Sequence, residues 1–113
     1  MAEVNITLDG DEVALRCTPK AMKDLCTKHG SLVALQQRVS GLDFNAAADT
    51  VEAGIGTKQL AHLKLNRAQV EEKIYEAGLL ELSSSLTRYI LLLANGGKED
   101  ATGEYEAASE GNG

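Results

Sequence analysis

Two alternating runs that meet at a single turn dipeptide restrict the fold more than any other feature of this chain. In "VNITLDGDEVALRC" the apolar residues Val4, Ile6 and Leu8 alternate with Asn5, Thr7 and Asp9. After Gly10, Val13, Leu15 and Cys17 alternate with Ala14, Arg16 and Thr18. Alternation of this kind gives a strand one apolar face. Asp9-Gly10 supplies the positive backbone angles that a two-residue hairpin turn needs. A hairpin alone is marginal in water, so its apolar face must be covered by something else.

The rest of the chain reads as helices. Thr18-Pro19 is an N-cap followed by a first helical position where a missing N–H costs nothing. Met22, Leu25, Cys26 and His29 then share one face, and Gly30 ends the segment. Ser31 caps a second helix striped by Leu32, Leu35 and Val39 and closed by Gly41. Asp43 caps a third, with Phe44, Ala47, Ala48 and Val51 at helical spacing and a break expected at Gly54 and Gly56. "TKQLAHLKL" fits either a helical turn (Leu60, Leu63) or an extended one (Leu63, Leu65). Asn66 with Gln69 three residues on forms a capping box, opening a helix lined by Val70, Ile74 and Ala77 and stopped by Gly78. The last helix, "LLELSSSLTRYILLLAN", carries Leu79, Leu82, Leu86, Tyr89, Ile90 and Leu93 on one stripe and ends at Gly96-Gly97. The expected fold is α+β and mostly helical: an N-terminal antiparallel hairpin packed on a bundle of about five short helices.

Leu80 and Leu91 point nearly opposite that last stripe, at 100° per residue. The closing helix is therefore apolar almost all round. Either it is the central helix of the bundle, or it offers a second face to a partner; Leu80 and Leu91 are the candidate partner-binding residues.

The chain has 113 residues, enough for one domain with one core. Aromatic residues are 4% and Trp is absent, so that core must be aliphatic. Residues 1–97 form the expected globular domain. Residues 98–113 hold five acids and one lysine with no large aliphatic residue, and are expected to form a disordered acidic tail whose role is solubility. The net charge of -6 opposes binding to nucleic acid or to an anionic membrane, both of which reward a basic surface. No stretch has the roughly 18 to 20 apolar residues of a membrane span. "MAEVNITLDG" lacks the basic and apolar regions of a signal peptide, which leads to an expected cytoplasmic location. Cys17 and Cys26 are then expected as reduced thiols.

Catalytic signatures are missing. "GIG" at 54–56 lacks the rest of a phosphate-loop pattern. Cys17, Cys26 and His29 have no paired ligand spacing, so neither a metal nor a cofactor is expected; His29 suits the C-terminal end of its helix dipole instead. Ser83, Ser84 and Ser85 have no base nearby in sequence and are expected in a tight helix contact or in solvent. Glu71 and Glu72 beside Lys73 read as a solvated face. The chain is read as a non-enzyme.

Taken in order, "ITLDGDEVALRCT", "HGSLVALQQRVSG" and "VEEKIYEAGLLELSSSLTRYILLLANGG" resemble the gene transfer agent tail protein family, small proteins encoded in the tail gene clusters of gene transfer agents and related phages. The resemblance runs from about residue 3 to residue 97. It implies a role in tail morphogenesis and virion assembly. Two such roles are open: a component of the tail tube, or a tail assembly chaperone that coats the helical tape-measure protein until the tube polymerises. A tube subunit calls for many strands, whereas this chain offers two, which favours the chaperone with the tape-measure protein as partner. A structural tail component (tube or connector) is the alternative, and a helical adaptor unrelated to phage is a third. The free edge of the hairpin offers a place for another copy, in a homo-oligomer, or for a client strand.

Overall fold

The computed structural model describes residues 2–98. The acidic segment expected to be disordered lies, apart from Lys98, outside the described residues. Strands β1 (Glu3–Leu8) and β2 (Asp11–Arg16) are followed by helices α1 (Pro19–His29), α2 (Leu32–Ser40), α3 (Phe44–Ile55), α4 (Thr57–His62), α5 (Arg67–Ala77) and α6 (Leu79–Ala94). The class is α+β and mostly helical, as expected, with six helices among the described residues where about five were read.

The hairpin forms in the expected register, with Leu8 opposite Asp11, Ile6 opposite Val13 and Val4 opposite Leu15. Asp9 and Gly10 take φ of 51° and 87°, the paired positive angles of a type I′ turn. Val4, Ile6, Leu8 and Leu15 are buried, while Glu3, Asn5 and Thr7 face solvent. Four helices begin at the side-chain caps read from the sequence: Thr18, Ser31, Asp43 and Asn66 each accept a backbone N–H from inside the helix. Gln69 completes the capping box by accepting from the backbone N–H of Asn66.

One aliphatic core joins the hairpin to the helices, with Leu25, Leu35, Val39, Val51, Ile74, Leu86, Ile90 and Leu92 buried. Its centre is α3, which packs against β2 and all five other helices. The expected break at Gly54 does not occur. Gly54 lies inside α3 and is buried against β2; a Cβ there would stand 2.8 Å from the Leu15 Cβ. The glycine lets helix and strand approach closely, a tertiary reason that helix propensity does not express. The turn falls at Gly56, whose φ of 89° ends α3 and starts α4 at one residue. In α1 the buried residues are Ala21 and Leu25, with Met22 and Cys26 only half-buried. Cys17 and Cys26 are both unbonded. No single helix among the described residues is long and apolar enough to cross a membrane.

Candidate functional site

Helix α6 places Leu82, Leu86, Tyr89, Ile90, Leu92 and Leu93 in the core. The Tyr89 hydroxyl, surrounded by apolar side chains, donates to the Arg16 carbonyl at 2.6 Å, tying α6 to the end of β2. Burial pushes the Tyr89 phenol well above its ordinary pKa, so it stays a donor. Burial likewise pushes up the Cys17 thiol.

The opposite side of α6 is open. Leu80 is 75% exposed and Leu91 is 46% exposed. Eleven residues turn a helix three times with about 20° to spare, so the two lie on one line roughly 16 Å apart. Ser84 and Arg88 are exposed along the same side, and Thr87 is half-buried. Among the described residues α3 is the central helix, and α6 is not buried all round: it leaves one apolar-ended face exposed. Ser83 and Ser85 are half-buried, and the Ser83 hydroxyl donates to the Leu80 carbonyl at 2.9 Å.

A second cluster had no counterpart in the sequence reading. Asp49, on the one charged side of α3, is a hub. One of its carboxylate oxygens accepts from His29 Nε2 at 2.9 Å, and the other from Arg67 Nη1 at 2.8 Å. Arg67 also donates to Glu52 and Glu71, and Lys28 Nζ stands 3.6 Å from Asp49. Burial raises the Asp49 pKa, but the hydrogen bonds from Arg67 and His29 and the charges of Lys28 and Arg67 outweigh it. The carboxyl is therefore held below its ordinary value. Burial lowers the Arg67 pKa, but its hydrogen bonds to Asp49, Glu71 and Glu52 outweigh that and raise it.

His29 is 6% exposed at its side chain, and Arg38 Nη1 lies 2.8 Å from its Nδ1. A guanidinium only donates, so Nδ1 must carry a lone pair. The proton then sits on Nε2 and is donated to Asp49. Both ring nitrogens are engaged. A His–Asp pair is the skeleton of a general base, but such a base needs a free ring nitrogen for its substrate, and Arg38 occupies the one that would serve. The cluster clamps α1, α2, α3 and α5 together. Among the described residues no three His, Cys, Asp or Glu side chains converge as a metal site.

No family model matches the chain, and no curated protein or solved structure matches it either.

Proposed function

We propose that this chain is a non-enzymatic tail-morphogenesis protein of a gene transfer agent or prophage, acting in the cytoplasm as an assembly chaperone for the tape-measure protein. The reading rests on the resemblance of residues 3–97 to the tail protein family. One observation supports the binding role: α6 carries Leu80 and Leu91 in line on a face that leaves both exposed among the described residues. A long helical client, kept from aggregating until a tube forms around it, needs an aliphatic surface of this kind and no chemistry from its chaperone. The α+β architecture with two strands favours this role over a tube subunit.

The test is the double substitution Leu80→Ser with Leu91→Ser, read by circular dichroism and by pull-down with the tape-measure product of the same gene cluster. Exposed leucines add little to folding, so helicity is retained. Each contributes roughly 1.5 to 3 kcal/mol once covered, so binding weakens on the order of a hundredfold or more. Unchanged binding with intact helicity overturns the α6 face as the client site.

A further inference from the structure

The sheet has two strands, so each has one unpaired edge, and the two edges differ. The Cys17 N–H donates to the Ala2 carbonyl at 3.2 Å, continuing the hairpin register by one pair. The hydrogen-bonded pairs are then Ala2–Cys17, Val4–Leu15, Ile6–Val13 and Leu8–Asp11, because such pairs alternate along an antiparallel ladder. Glu12, Ala14 and Arg16 are left with their N–H and C=O groups directed away from β1. Along this edge lies an open groove with Ile55, Gln59 and Leu63 on its far bank. Glu12 and Arg16 are both exposed, and neither side chain makes an ion pair among the described residues.

We infer that the outer edge of β2 pairs with the same edge of a second copy of this chain, antiparallel and two-fold symmetric about Ala14, to make one four-stranded sheet across two molecules. Charge complementarity selects the partner and the register. With Ala14 opposite Ala14, Glu12 of each copy stands directly opposite Arg16 of the other. Opposite charges so placed attract, and like charges repel. Centring the pair on Glu12 or on Arg16 instead sets like charges face to face. Centring it on Val13 or Leu15 leaves both charges without an opposite. Beneath the sheet, the Ala14 register places half-exposed Val13 opposite Leu15 of the other copy, a residue its own core already buries, so the charges at positions 12 and 16 decide the register. The Arg16 carbonyl already accepts from Tyr89 and keeps a second lone pair for the ladder. The β1 edge is not self-complementary: the same operation about Asn5 sets Glu3 against Thr7. Unpaired edges recruit whatever strand fits them, and charges on an edge turn away strands that do not match. Here those charges fit a copy of themselves.

This inference does not depend on the chaperone reading. Its test is sedimentation equilibrium of the full chain over a concentration series, with circular dichroism to verify folding. The expected result is a concentration-dependent dimer. Glu12→Arg alone, or Arg16→Glu alone, puts like charges opposite each other at both ends of the pairing and weakens association by about tenfold or more. Exchanging both in one chain restores it. As an independent readout, Ala14→Cys gives a covalent dimer on mild oxidation above the background of the native cysteines, and Asn5→Cys does not. Residues in a hydrogen-bonded antiparallel pair have Cα atoms about 5.5 Å apart, within disulfide reach. A chain that stays monomeric throughout the series overturns the inference. So does a dimer indifferent to the single reversals, a dimer not rescued by the exchange, or equal cross-linking at positions 5 and 14.

Discussion

Helices α3 and α6 are the two most apolar segments of the chain, yet they take opposite places. Helix α6 is built on leucine and lies on one side of the core with Leu80 and Leu91 in solvent. Helix α3 is built on alanine and glycine and sits in the middle, touching β2 and every other helix. Hydrophobicity alone does not rank helices by centrality. A central helix must let neighbours approach from several sides, and Ala46, Ala47, Ala48 and Gly54 keep α3 thin enough for that. A leucine-rich helix holds its neighbours further off and stabilises through one deep face. The two helices are also fixed differently: α6 by non-directional burial together with the Tyr89 hydrogen bond to β2, α3 additionally by the directional cluster on Asp49.

The sharpest way to break this contrast is on the deep face of α6. Leu86 is fully buried, and Leu86→Ala is expected to cost 2 to 5 kcal/mol, about the range for removing a core leucine. Urea denaturation measures it, and a change near zero would mean that α6 is not held by burial. Next comes the thinness of α3. Gly→Ala inside a helix ordinarily gains about 1 kcal/mol. At Gly54 the new Cβ would meet Leu15 Cβ at 2.8 Å and Cδ2 at 2.9 Å, so overpacking of about 1 to 3 kcal/mol outweighs the gain. Gly54→Ala should therefore lower the melting temperature; a rise would show that α3 is not pressed against β2.

The Asp49 cluster, which α6 does not join, predicts a pH signature in the stability of the fold. The folded-state pKa of Asp49 lies below its ordinary value of 3.8, so the stabilisation is fully present above that value and is lost as pH falls through the folded pKa. Asp49→Asn removes the charge and should cost about 1 to 2 kcal/mol near neutral pH. Urea midpoints of the two proteins should draw together below about pH 4. A constant gap down to pH 2 would show that the carboxylate charge does not act. The smallest effect falls on α6: Tyr89→Phe leaves the ring packed but removes the donor to Arg16, a loss of roughly 0.5 to 1.5 kcal/mol by the same measurement.

Local signals carried most of the fold. The Asp9-Gly10 turn set the strand register, and Thr18, Ser31, Asp43 and the Asn66–Gln69 box marked four helix starts, because a cap is a contact between residues three apart. Helix α4 was illegible for the complementary reason: it has six residues and no side-chain cap, and it opens on Gly56, which also ends the preceding helix. Gly54 was misread because its reason to be glycine lies across the fold, in Leu15. The exposed line through Leu80 and Leu91 followed from helical phase, but the choice between a central helix and an open face needed α3 in place. The Asp49 cluster left one faint trace, an acid within "NAAADTVE" where its neighbours are buried. Its partners His29 and Arg67 lie 20 and 18 residues away on other helices, beyond the reach of any periodicity.

The bond from Tyr89 to Arg16 joins residues 73 apart in sequence. During synthesis the hairpin therefore emerges well before the helix that covers it. At about 5 to 20 residues per second, the ribosome needs roughly 4 to 15 s to bring α6 out behind β2. For that interval the apolar face of Val4, Ile6 and Leu8 lacks its final cover, while the early helices already have their own caps. The nascent chain thus acquires its helix boundaries in order and its tertiary lock last, and the same interval is when a chain rich in aliphatic surface is most open to capture by its neighbours on the polysome.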